Sequence, residues 1–442
     1  MVSRRSMMLA APLVAAAITA QERPASRYRP VARTTPDPDP AALLDTARAE
    51  PDPTTAAGAA EAIRAFTADL YRDLAQVADS PGNLVCSPYS VATALAMTRA
   101  GARGTTAAEI DRVLHAPEPT PTALDAGLNT LDQLMIAQYR DHDDDGTKQP
   151  RLATANSLWP QDDLPVEAAF RETLAAYYGA TTHPADYRLA AESARQEINA
   201  WVSEQTAGKI PELLVPGVLT PATLFVLVNA LYLKASWQVP FDPDLTIPAG
   251  FYPDDGPATP VVMMTAPAQY LDYAETGDWF AVSLPYAGYQ LAMSIVVPRT
   301  GSLATLEAAL DGPWLARLLG GFDSTRIQLS LPRWETRVPA QLRASLSRLG
   351  MPTAFTSGAD LSGISPVKPL FVDAVVHETY ISVDEKGTEA AAATAVIGFG
   401  GISEPPPPPK PVIVDRPFLY VIHDVARAVP LFIGRVSVPT AA

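Results

Sequence analysis

The chain has 442 residues and 48% apolar content, enough for a sizeable core, and about 150 residues per domain would make it about three domains. A formal net charge of -15 excludes a nucleic-acid binder or an anionic-membrane anchor, since both need clustered Lys and Arg, and it favours a self-repelling monomer. The single cysteine, Cys86, excludes an intramolecular disulfide and any multi-cysteine metal site.

Arg4 and Arg5 precede an apolar run over residues 7–20, with Ala15, Ala16 and Ala17 in an A-x-A-like arrangement, so residues 1–20 read as a secretory signal peptide too short to span a membrane. Secretion, or at least an extracytoplasmic location, is the expectation. The preference for Arg over Lys and the 44 prolines look like the drift of a GC-rich bacterial genome. Residues 21–56, with Pro36, Pro38 and Pro40 alternating with Asp, have no apolar periodicity and read as a disordered linker. Ile63, Phe66, Leu70 and Leu74 then recur at spacings of three and four, a helical stripe that opens a folded region over 57–442. Further helical patterns cover 91–99 and 191–206, whereas strand-like runs at 225–233, 291–297, 327–331, 371–383, 412–422 and 429–438 fill the second half. Several are continuously apolar, as in central strands covered on both faces, and the order of elements reads as an α+β domain with a mostly antiparallel sheet system.

Enzyme chemistry finds no support along this course. None of His115, His142, His183, His377 and His423 stands in a metalloprotease or nucleophile motif. The run Asp141-His142-Asp143-Asp144-Asp145 lacks the spaced ligands and glycine of a calcium loop and reads as a solvated acidic loop. Gly398-Phe399-Gly400-Gly401 opens no phosphate-binding helix. Cys86, flanked by Val85 and Ser87, reads as a buried small hydrophobe rather than a reactive thiol. No metal, cofactor or catalytic residue is expected.

The informative stretch is Asp384-Glu385-Lys386-Gly387-Thr388-Glu389-Ala390-Ala391-Ala392-Ala393-Thr394. By propensity alone Thr388 would cap a helix of alanines. The segment nevertheless resembles the hinge of the reactive-centre loop of the serpins, the serine protease inhibitor family, and further resemblances flank it in order. They are Asn83 through Val91 with Ala94 to Met97, Ile198-Asn199-Ala200-Trp201-Val202, Leu227 through Trp237, Leu349-Gly350-Met351 with Asp360 to Ile364, and Asp415-Arg416-Pro417-Phe418 through Val436. The resemblance implies one domain of about nine helices and three β-sheets instead of three domains, with an exposed loop at about 385–411. It implies suicide inhibition, in which a serine protease attacks the loop, is held as an acyl-enzyme, and is disabled as the cleaved loop adds a strand to the central sheet.

The hinge residues suit that step. Alternation would turn Thr388, Ala390, Ala392, Thr394 and Val396 inward and Glu389, Ala391, Ala393, Ala395 and Ile397 outward, so every inward side chain is small or apolar. Counting from Glu385 by the family's usual spacing puts the scissile bond after Gly401. The run Ile402-Ser403-Glu404 instead resembles loops cut before serine, and Ile402-Ser403 is the preferred bond. Either reading predicts elastase-like or subtilisin-like targets; Phe399 is a weaker alternative of chymotrypsin-like taste. Trypsin-like proteases are disfavoured, because no Lys or Arg lies between Lys386 and Lys410. Pro405 to Pro409 extend the loop beyond the family's usual length, either as a stiff stalk or as a tolerated insertion. Ser87, Ser90, Asn229 and His377 match the family's polar cluster beneath the opening sheet, and Trp237 matches the tryptophan where insertion starts. The absence of a basic cluster argues against a polyanion cofactor. A serpin that has lost inhibition and acts as a binding or chaperone-like protein is the alternative.

Overall fold

The computed structural model describes residues 16–19, 47–77, 82–119, 121–140, 151–206, 208, 210–254, 256–388 and 408–440. In chain order they form β1 (Ala16–Thr19), α1 (Pro53–Val77), β2 (Leu84–Cys86), α2 (Pro88–Gly101), α3 (Gly104–Val113) and α4 (Thr122–Arg140). Next come β3 (Arg151–Pro160), α5 (Ala168–Tyr178), β4 (Thr181–Thr182), α6 (Tyr187–Gln205), β5 (Thr223–Ser236), β6 (Asp242–Phe251) and β7 (Thr259–Thr265). The chain continues through β8 (Gln269–Glu275), β9 (Trp279–Pro285), β10 (Leu291–Pro298), α7 (Leu303–Ala308), α8 (Gly312–Gly320), β11 (Asp323–Pro332), β12 (Trp334–Gln341) and α9 (Arg343–Leu349). It ends with β13 (Phe371–Val383), β14 (Gly387–Thr388), β15 (Lys410–Ile413), β16 (Phe418–Asp424) and β17 (Val429–Val436).

The apolar stripe of α1 is buried as its spacing predicts, with Ile63, Phe66, Leu70 and Leu74 all in the main core. The helix begins at Pro53, ahead of the expected 57, because residues before it already have partners. Arg48 reaches Asp132 on α4 at 2.5 Å, and the Asp52 N–H donates to Thr130 Oγ1 at 2.8 Å. These contacts are tertiary and leave no periodicity to read. The α2 helix starts where Ser87 accepts from the Ser90 N–H and Pro88 supplies a preset φ. Nearly every residue of α2 is buried, so it is the central helix of the core.

The first sheet runs β12, β13, β5, β3, β4, with β1 and β14 both placed between β13 and β5. Strands β16, β17 and β10 are buried along their whole length, which explains their continuous apolar runs. They belong to a ten-stranded path in which β11 is shared: Asp323–Ile327 pair with β8, while Ser330–Pro332 pair with β7. The second and third expected sheets are thus joined along one strand. The run expected as one strand over 412–422 is two, β15 and β16, divided by a turn at Asp415-Arg416-Pro417. A second apolar cluster, including Tyr187, Ile198 and Val202 of α6 with Val226 and Val228 of β5, clamps α6 onto one face of the first sheet. Asn199 holds that clamp by exchanging two hydrogen bonds with the Leu214 backbone, at 2.9 and 2.7 Å.

Candidate functional site

The site is the seam between β5 and β13, which pair with each other nowhere among the described residues. At one end of it β14, the start of the segment read from the sequence as the hinge, is bonded on both sides. Gly387 lies opposite Ser236 and Thr388 opposite Ala235 on β5, while Thr388 faces Val383 on β13, all antiparallel. Gly387 has φ +149°, and a Cβ there would stand 2.1 Å from the Ala235 carbonyl oxygen, so only glycine fits. The Asp384 carboxylate closes the preceding turn by accepting from the N–H groups of Lys386 and Gly387 at 2.8 and 3.2 Å.

Glu385 and Trp237 fix this hinge from below. Burial raises the Glu385 pKa, but the hydrogen bonds from Arg333 and from Thr246 Oγ1 at 2.7 Å outweigh it and leave the carboxyl below its ordinary value. Trp237 is fully buried, donates Nε1–H to the Asp384 carbonyl at 3.0 Å, and stacks on Tyr286 with 4.7 Å between ring centroids. The Tyr286 hydroxyl meets Thr388 Oγ1 at 2.7 Å, so the buried Thr388 side chain is held by a neutral hydroxyl.

Midway down the seam the four polar residues singled out from the sequence come together. The Ser87 N–H donates to His377 Nε2 at 2.9 Å, and Ser87 Oγ–H donates to the Leu431 carbonyl at 2.8 Å. Ser90 Oγ–H donates to Asn229 Oδ1, and Asn229 Nδ2–H donates to Asn156 Oδ1 at 2.6 Å. Burial pushes the His377 pKa down to about 3, so the ring is neutral. Its Nε2 is also 2.8 Å from Thr379 Oγ1, while Nδ1 is buried with no partner among the described residues. Asn156 and Thr379 are members that sequence reading missed. A lone Asn among the alternating residues of a central strand was the available signal for the first.

Glu389, Ala390, Ala391, Ala392, Ala393, Thr394, Gly401, Ile402 and Ser403 lie outside the described residues, as do Pro405 to Pro407. Cys86 is buried and its thiol is pushed far up by burial, which removes it from thiolate chemistry. Of the histidines, His115 meets Asp69, His183 stacks on Trp159, and His423 bonds Ser294. Among the described residues no cluster of His, Cys, Asp or Glu is placed to hold a metal ion, and no helix is long and apolar enough to cross a membrane.

The described residues thus form a central sheet in which β5 and β13 do not pair with each other and β14 is bonded between them at one end. The family model for Serpin (serine protease inhibitor) matches residues 61–439. The chain belongs to the serpin family. It is 34% identical to the leukocyte elastase inhibitor of Sus scrofa over 389 residues, covering 85% of this chain and 97% of that protein. It is 35% identical to an uncharacterized serpin-like protein of Thermococcus kodakarensis over 385 residues, covering 86% of this chain and 85% of the other. The crystal structure of Serpin48 of the insect Tenebrio molitor superposes with a TM-score of 0.73 at 31% identity, covering 86% of this chain and 98% of that one.

Proposed function

We propose that this protein is a secreted, monomeric suicide inhibitor of serine proteases with elastase-like or subtilisin-like specificity, and not itself an enzyme. The observation that carries this reading is the paired hinge, because Gly387 and Thr388 bond both β5 and β13, and the next positions on those strands, 228–234 and 376–382, have no partner on their facing edges among the described residues. In the proposed cycle the protease serine attacks the Ile402 carbonyl, the Ser403 amine leaves with a proton, and an ester joins protease to loop. Insertion then competes with hydrolysis of that ester. Small inward side chains from Thr388 to Val396 keep insertion ahead, since each enters the sheet without burying charge.

Register assigns a part to the central cluster. Thr394 lies six residues past Thr388, and six residues before Ala235 and Val383 are Asn229 and His377. An inserted Thr394 hydroxyl therefore falls between Asn229 and the unpartnered His377 Nδ1.

The test is incubation with elastase, subtilisin, chymotrypsin and trypsin, read by denaturing gel and intact mass. The expected result is a denaturant-stable complex with elastase or subtilisin and a released peptide that begins at Ser403. Clean loop cleavage, with every protease still active at excess inhibitor, would overturn the inhibitory reading.

A further inference from the structure

Past the proposed cut the chain rejoins the body at β15, where it has little backbone to hold with. β15 is a four-residue strand parallel to β11, with Lys410 opposite Ile327, Pro411 opposite Gln328 and Val412 opposite Leu329. Pro408, Pro409 and Pro411 carry no N–H, so across 408–411 only Lys410 has a backbone donor to offer.

A side chain does what the ladder cannot. Lys410 Nζ–H donates to Glu275 Oε2 at 2.8 Å, and Nζ stands 4.2 Å from the centroid of the Tyr273 ring. The same oxygen accepts from the Tyr273 hydroxyl at 2.8 Å and from Arg299. The hydrogen bonds from Lys410 first, and from Tyr273 second, bring the Glu275 pKa down to about 2, so the carboxylate is charged throughout the neutral range. The receiving surface is rigid. Glu275 ends β8, and the turn into β9 is cross-bonded by the Thr276 N–H to the Trp279 carbonyl at 2.8 Å and by the Arg299 N–H to the Asp278 carbonyl at 2.7 Å. The Lys410 and Glu275 side chains are 36% and 40% exposed, so their ion pair alone would be weak. The ring beneath the cation and the shared oxygen make it a clip.

In the sequence seven residues, 403–409, separate the preferred bond from Lys410, and five of them are proline. A proline run stays extended over several residues at about 3.1 Å each, so it carries the direction of its anchored end to its far end, whereas a glycine-rich run loses it. A protease takes its substrate in one extended arrangement, and every arrangement of the arm that points elsewhere lowers the rate of cutting. The fate of the acyl-enzyme depends instead on the other arm, which enters the sheet from Thr388.

We infer that Lys410 is a positioning residue: clipped to Glu275 and Tyr273, it fixes the direction in which the loop's far arm leaves β15 and so sets how fast a protease cuts the loop. The partition between trapping and release stays with the hinge. This inference rests on the inhibitory reading above for the identity of the loop and its partner.

The test uses the full chain as wild type, Lys410→Gln, Lys410→Arg and Glu275→Gln, each incubated with elastase and with subtilisin. Intact mass over time gives the cutting rate, and denaturing gels give the share of cut inhibitor held as complex. The ion pair and the cation–ring contact are each worth a factor of about two to five, so Lys410→Gln and Glu275→Gln should each be cut about fivefold more slowly than wild type. Lys410→Arg keeps a cation over the ring and should stay within about twofold of wild type. The trapped share should be equal in every form. The two glutamine variants change net charge in opposite directions, so a pure steering effect would move their rates apart, while loss of the clip lowers both. Rates that move apart, or Lys410→Gln cut at the wild-type rate, overturn the clip. A lower trapped share at an unchanged cutting rate also overturns it, since Lys410 would then act in the insertion step. If no form yields a complex, wild type included, the inhibitory reading fails, and the cutting rates still decide the clip.

Discussion

His377 and Asp125 are buried titratable groups whose pKa values are displaced in opposite directions. Burial lowers the His377 pKa to about 3, and burial likewise lowers that of His423 to about 4. A histidine depressed in the folded state contributes stability above its unfolded value of about 6.5, and that stability is lost as pH falls towards the folded value. Asp125 is raised to about 6 by burial, against the hydrogen bond from the Tyr178 hydroxyl at 2.5 Å. A raised carboxyl contributes below its unfolded value near 4, and that contribution is lost as pH rises through 6. Denaturant midpoints should therefore fall on the acid side below about pH 6.5. They should also be held down on the neutral side by ionised Asp125. Asp125→Asn keeps an acceptor for Tyr178 and removes the buried charge, so it should stabilise the fold at pH 8 by about 2 kcal/mol while leaving pH 4 nearly unchanged. Equal midpoints for wild type and Asp125→Asn at pH 8 would show that water reaches this carboxyl.

At the scale of the element, the proposed inhibitory reading makes β14 decide between inhibitor and substrate. Thr388 is 2% exposed, with its hydroxyl on Tyr286, so Thr388→Arg would force a guanidinium into a site built for a methyl and a hydroxyl. We expect the variant's loop to be cut at the wild-type rate while stable complex falls by at least about 100-fold, the scale of ~3 kcal/mol for an unpaired buried polar group. Gel densitometry of complex against cleaved inhibitor gives the ratio, and unchanged trapping would place the insertion point elsewhere. This element also marks how far the sequence could be read. Propensity made a helix from Thr388 onward, and only the resemblance over Asp384–Thr394 made it a loop hinge; Gly387 and Thr388 are strand because pairing with β5 and β13 is a tertiary gain that local preference does not contain. The central cluster was legible at Ser87, Ser90, Asn229 and His377 through the segments that hold them. Asn156 was not, since only the register of β3 on β5 sets it opposite Asn229, and Thr379, two residues past His377 on the same face of β13, belongs to no segment singled out for the cluster. The same limit hid the docking of Arg48 and Asp52, which read as linker because their partners are about 80 residues away.

For the whole molecule, the proposed inhibitory reading means that the folded chain has not formed all the sheet it can form. Strands β5 and β13 have no partner on their facing edges at 228–234 and 376–382 among the described residues, and on the proposed reading the reactive loop, which the chain joins to β14 before it and β15 after it, supplies one. Cutting the loop unties one end. If about ten ladder bonds then form at roughly 1 kcal/mol net each, the cleaved protein gains on the order of 10 kcal/mol, as much as a whole domain's usual stability. For a chain of this size each kcal/mol moves the thermal midpoint by about 2 °C, so loop cleavage should raise it by about 20 °C. Cleavage with a protease that is not trapped, followed by a calorimetric scan against the intact chain, measures this directly. A midpoint unmoved by cleavage would mean that the loop does not enter the seam at all.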